Sequence, residues 1–196
     1  MRFVLYTALV LVFAGCAAGG LTGSTGEPTI TGLDDALEPT ATVHTLNFKK
    51  PLILARGQAD PAMRAIITKD VSDASLLDSL AQTDNGVAYQ FYIQTNSSDW
   101  MRWNSIRYLG DAGQLVTLEA DVIGTDVDCS RYGCSHYETM VASMSREQLD
   151  ALAQMGEPSI RLNSGSSSAN MDIDLDPLEV SAFVGAVDSA LGSLGR

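Results

Sequence analysis

Val87-Ala88-Tyr89-Gln90-Phe91-Tyr92-Ile93-Gln94 decides the class of fold. Val87, Tyr89, Phe91 and Ile93 alternate with Ala88, Gln90, Tyr92 and Gln94, the period of an extended chain with one dry face and one wetter face. The same rhythm returns twice further along. Val116, Leu118, Ala120 and Val122 alternate with Thr117, Glu119 and Asp121; Met171, Ile173 and Leu175 alternate with Asn170, Asp172, Asp174 and Asp176. Strands with one solvated face belong to antiparallel sheets, because parallel strands are covered on both sides. Shorter stretches of the same kind lie at 42–48, 52–56, 63–68, 104–109, 136–144 and 159–163. Gly-rich or Ser-rich turns fall at 110–113 and 165–168.

Two helices interrupt the extended pattern. Ser145-Arg146-Glu147-Gln148 is a capping box; Leu149, Leu152 and Met155 follow it, and Gly156 is a stop. Asp176-Pro177 supplies an N-cap and a first-turn proline. Behind it Val180, Phe183, Val184, Val187, Leu191 and Leu194 keep to one stripe, with Glu179 expected just outside it. A third, short helix is expected over 73–82. The sum is an α+β domain: a largely antiparallel sheet or sandwich, with a short helix at about 145–155 and a C-terminal helix at about 177–194 packed on it. No repeat of 20–50 residues is present.

The 196 residues, 45% of them hydrophobic, suffice for one domain with a sizeable core. Their formal charge of -12 argues against nucleic acid, which requires clustered Lys and Arg. It also argues against a polybasic grip on anionic lipid.

The N-terminus reads as an address. Met1-Arg2 opens with a positive charge, and residues 3–13 run without charge. That length fits a signal-peptide core and falls short of the ~20 residues that span a bilayer. Phe13-Ala14-Gly15-Cys16 closes the run and resembles the lipobox of bacterial lipoproteins, with Phe13 where an aliphatic residue is usual. The resemblance covers about the first 18 residues. It implies cleavage before Cys16, diacylation of the Cys16 thiol and acylation of the new N-terminus. It further implies the outer membrane, because Ala17 follows the cysteine where Asp tends to retain a lipoprotein in the inner one. Ordinary secretion, with cleavage among Gly15, Cys16, Ala17 and Ala18, is the alternative. Residues 16–40 are then a lipidated cysteine and a flexible Gly/Thr-rich tether, whose typical reach is about 25–30 Å. Residues 41–196 form a single domain facing the periplasm.

Three cysteines are an awkward number for an exported chain. With Cys16 lipidated, Cys129 and Cys134 remain, close enough to pair as a disulfide in an oxidising compartment. The alternative adds His136 and Glu138, giving Cys-x4-Cys-x-His-x-Glu, with ligands suited to zinc or copper. Structural zinc loops use tighter cysteine spacing, and free thiols seldom survive export, so no metal and no cofactor are expected. Asp172, Asp174 and Asp176 do not form an EF-hand, since its glycine and glutamate positions hold Pro177 and Phe183. Trp100 and Trp103 follow a polar turn and serve either as core or as an exposed partner-binding pair.

Motifs for serine hydrolases, zinc proteases, phosphate loops and dinucleotide binding are absent, and no catalytic residue is assigned. The expected function is that of a cell-envelope lipoprotein: a non-catalytic binding or scaffolding module for another envelope protein or ligand, held to the membrane by lipid. The alternative is an envelope hydrolase that uses acidic side chains or His136.

Overall fold

The computed structural model describes residues 28–45, 57–70, 77, 84–110 and 113–196. The expected signal peptide, Cys16, the strand at 52–56, most of the helix at 73–82 and the centre of the turn at 110–113 lie outside the described residues. Nine strands and two helices are present among the described residues: β1 (Thr29–Thr31), β2 (Thr40–His44), β3 (Gln58–Thr68), β4 (Val87–Ser97), β5 (Trp103–Leu109), β6 (Leu115–Ser130), β7 (Gly133–Met144), α1 (Arg146–Gln154), β8 (Ser159–Ser164), β9 (Asn170–Asp174) and α2 (Pro177–Ser193).

All nine strands join one open antiparallel sheet in the order β1-β2-β3-β4-β7-β6-β5-β8-β9. The α+β expectation holds in that form, a single sheet with two helices. The expected tether overlaps the sheet, because Thr29–Thr31 pairs with Thr42–His44. Two threonines and one isoleucine are too few to show a period, so nothing in their pattern marks a strand.

Register explains which side is dry. Tyr89, Phe91 and Ile93 lie opposite Met144, Ala142 and Met140 on β7, and opposite Ala65, Met63 and Pro61 on β3. The same face continues through Ala120 and Leu118 of β6, Ile106 of β5, Leu162 of β8 and Ile173 of β9, all of them buried. Pro61 lacks a backbone donor and stands where β2 has already ended, its last rung being His44 with Arg64. A proline is tolerated at such a position.

The helices close the dry face. Ser145 and Gln148 form the expected reciprocal capping box on α1, which buries Leu149 and Leu152. Asp176 caps α2 through the Leu178 N–H, and Val180, Phe183, Val187 and Ala190 are buried. Val184, Leu191 and Leu194 are only partly buried, so the stripe is narrower than expected. Glu179 departs further from expectation. It is 9% exposed, because the N-terminal end of α2 packs toward Thr45 and Asp60, which both act on its carboxyl. An Arg146 fork joins the two helices, pairing with Asp150 at 2.8 Å and with Asp188 at 2.6 Å.

The wetter face of β4 is covered as well. Arg64 donates through Nε and Nη2 to Gln90 Oε1, at 3.0 and 2.6 Å, and lies over the Tyr92 ring. This pairing lets Gln90 be buried in the middle of the sheet with its amide oxygen engaged.

Candidate binding arm

Among the described residues, the β6–β7 hairpin leaves the core. β6 pairs with β5 only from Leu115 to Glu119, and with β7 from Ala120 to Ser130. A bulge between Val122 and Gly124 inserts Ile123 and shifts the register. Bulges bend a strand and increase its twist, and here the bend falls where β6 parts from β5. Beyond it, residues 125–130 are exposed, and so is the hairpin tip.

The two sulfurs of Cys129 and Cys134 lie 2.06 Å apart, at disulfide distance, across the last rung but one before the turn. The turn itself is Ser130-Arg131-Tyr132-Gly133. The Ser130 hydroxyl accepts from the Tyr132 N–H at 3.1 Å, and Gly133 takes φ 121°, a backbone conformation that side chains disfavour. Tyr132 stands at the tip, 79% exposed.

A second element braces the arm at its root. The loop between β4 and β5 runs back over β7, and Glu138 receives it. Its two carboxylate oxygens accept from the backbone N–H groups of Met101 at 2.8 Å and Arg102 at 2.9 Å. Arg102 has φ 51°, the left-handed region, which a residue with a side chain occupies only when its surroundings hold it there. Met101 O accepts from the Ser164 hydroxyl, and Arg102 O accepts from the Gly165 N–H at 2.9 Å, so the same loop is pinned to the β8–β9 turn.

This bracing separates the two tryptophans. Trp103 is 3% exposed, and its indole N–H donates to Thr95 Oγ1 at 3.0 Å. Of the two readings, core holds for Trp103, and the two rings do not form an exposed pair. β5 begins at Trp103, so the two rings leave the backbone from different kinds of structure and do not share a helical face. Trp100 remains at the surface, edge-on to the His136 ring with centroids 4.6 Å apart.

His136 and Glu138 do share a face of β7, as the spacing implies. Their surroundings differ from those of a ligand set: the cysteines are engaged with each other, and Glu138 is 2% exposed with both oxygens on backbone N–H groups. Among the described residues, no group of three or more His, Cys, Asp and Glu side chains is placed to hold a metal ion. His136 lies against Trp100 and opposite Val127.

Along the arm the alternation sorts side chains by chemistry. Thr125, Val127 and Cys129 lie opposite Glu138, His136 and Cys134 on the face that continues the core. Asp121, Asp126 and Asp128 lie opposite Val141, Tyr137 and Ser135 on the other face. The exposed apolar residues here are Val122, Ile123, Val127 and Tyr132, with Trp100 beside them. The sequence reading missed this surface. Only its first rungs carry a hydrophobic period, and the remaining signal was the pair of cysteines flanking a Tyr-Gly turn.

Acidic groups gather elsewhere too. A cleft of about 680 Å³ beside α1 is lined by Asp84, Glu147, Asp150, Tyr108, Arg146 and Gln154 among others. Its Arg146 is committed to carboxylates, and the pairing holds Asp188 below the usual carboxylate range. At the start of α2, burial pushes the Glu179 carboxyl up to about 7, aided by Asp176 and Asp60 and opposed by the Thr45 hydroxyl. Burial raises Asp60 as well. The histidine of the hydrolase alternative, His136, does not line the α1 cleft.

No family model matches the chain, and no curated protein or solved structure is significantly similar to it.

Proposed function

We propose that the chain is a bacterial cell-envelope lipoprotein, anchored through acylated Cys16 and facing the periplasm from the outer membrane. Its domain acts as a non-catalytic binding module that presents the β6–β7 arm to another envelope component. The observation that carries this reading is the arm itself. A hairpin stapled by Cys129 and Cys134 and braced by Glu138 displays Val122, Ile123, Val127 and Tyr132 to solvent. Ordering exposed apolar side chains gains nothing for the folded chain alone, whereas an ordered surface reduces the entropy lost when a partner binds. The cysteine pair agrees with an oxidising compartment. The lipobox-like Phe13-Ala14-Gly15-Cys16 supplies the route to it.

Fractionation tests the anchor. Cys16→Ser should move the protein from the membrane pellet to the soluble fraction, because several acyl chains on one residue are what makes such an anchor stable. An unchanged membrane fraction for Cys16→Ser contradicts the reading.

A further inference from the structure

Among the described residues, the edge of β6 that faces away from β7 has no neighbouring strand once β5 has left. β5 reaches only as far as the rung between Ser105 and Glu119, and β6 continues to Ser130. The Val127 N–H donates to the side chain of its own neighbour, Asp126 Oδ1, at 2.8 Å. That is a local partner for a donor that no described strand meets.

We propose that this edge, residues 122–130, accepts an extended peptide segment as an added β-strand, and that the segment alternates basic with apolar residues. The proposal rests on the binding-module reading and names the partner's chemistry. Main-chain hydrogen bonds to an exposed edge supply affinity, and alternate side chains supply specificity. An added strand places every second residue on one face of the sheet. On one face it meets Thr125 and Val127, with Trp100 beyond them against His136. On the other it meets Asp126 and Asp128, with Asp121 just before the bulge. Among the described residues, the ion pairs are those of Arg146 and Arg161, and none includes these three carboxylates. Lysine or arginine at every second position therefore answers the acidic row, and apolar residues between them answer the other face.

The same charges argue against a second copy as the occupant. Two β6 edges related by a two-fold axis place acidic row beside acidic row, and like charges directly opposite destabilise a strand pair. The formal charge of -12 on each chain adds to the repulsion.

The test uses the full chain extracted from membranes in detergent, with three labelled decapeptides as probes. One alternates lysine with valine, one replaces each lysine with glutamate, and one keeps the lysines but replaces the valines with proline. The lysine–valine peptide should bind saturably, at least about tenfold more tightly than either control. On binding, it should slow amide hydrogen exchange at Val127. Val127→Pro removes the outward donor without touching the ladder to β7 and should abolish binding. Val127→Lys keeps the backbone and places a like charge on the edge, and it should weaken binding by at least about tenfold. Asp126→Asn with Asp128→Asn should weaken it several-fold and flatten its salt dependence. Equal binding of the proline peptide shows charge attraction alone and overturns the proposal. So do unchanged binding by Val127→Lys and self-association of the chain that Val127→Lys abolishes. A failed anchor is read separately, from the Cys16→Ser fractionation: an unlipidated chain can still bind the peptide, and a lipidated chain that ignores it refutes only the edge assignment.

Discussion

Glu179 gives the most demanding test of the packing. Its carboxyl lies at the start of α2, 9% exposed, with Asp176 and Asp60 nearby and one oxygen, Oε1, without a hydrogen-bond partner. Burial raises it from 4.5 to about 7. Between those values the folded chain holds a proton that the unfolded chain has released. Stability from this group is therefore complete below about pH 4.5 and is lost as pH rises through about 7. At about 1.4 kcal/mol per pH unit the gap sets a ceiling of about 3 kcal/mol. Water at the rim of the site screens part of it, which leaves on the order of 1–2 kcal/mol. Glu179→Gln replaces the neutral acid with an amide that does not ionise. Urea melts at pH 5, 6, 7 and 8 should show wild type losing stability across the series and the variant losing less. At pH 8 Glu179→Gln should be the more stable of the two by on the order of 1–2 kcal/mol. Comparing the two slopes cancels the other titrating groups. Asp60→Asn serves as a second background, since burial raises Asp60 too. If both proteins show the same slope, Glu179 is not the buried acid described above, and the seating of α2 on β2 and β3 is wrong.

Phe183→Ala should cost about 3–5 kcal/mol in the same melts, because Phe183 is 1% exposed and its removal leaves a cavity. Wild-type stability in that variant would detach α2 from the core. Glu138→Gln keeps one acceptor for one of the Met101 and Arg102 N–H groups and turns an amide N–H₂ toward the other. It should cost about 1.5–3 kcal/mol and release Trp100 from His136 with a red-shifted emission, whereas unchanged emission would show that the loop is held by other contacts. Thiol titration of the denatured, unreduced protein should find Cys129 and Cys134 unreactive. Replacing both with alanine should cost only about 2 kcal/mol, since the ring they close spans five positions.

What was legible in the sequence is what burial writes into it. β8 and β9 alternate because one face of each is dry, and β4 because one of its two covered faces meets polar partners such as Arg64. α1 and α2 carry a stripe where they meet the core and caps where their first N–H groups need acceptors. The last ten residues of β6 have both faces in water over most of their length, so no hydrophobic period marks them. Their register comes from β7 and from the cysteine rung. β1 was missed because three residues cannot show a period. Glu179 was placed outside the stripe by helical phase, yet α2 turns Glu179 inward at its first turn, toward Thr45 at the end of β2, while Leu178 beside it stays exposed. Trp100 and Trp103 looked like a pair by spacing alone. The Glu138 carboxylate, which is far from both in sequence, sets one in the core and leaves the other at the surface.

Intact mass spectrometry of the protein purified from membranes tests the central claim most directly. The chain should begin at Cys16 and be heavier than its amino-acid mass by a diacylglyceryl group and one further acyl chain. A mass matching the unmodified chain from Met1, or a cleaved chain without lipid, would contradict it.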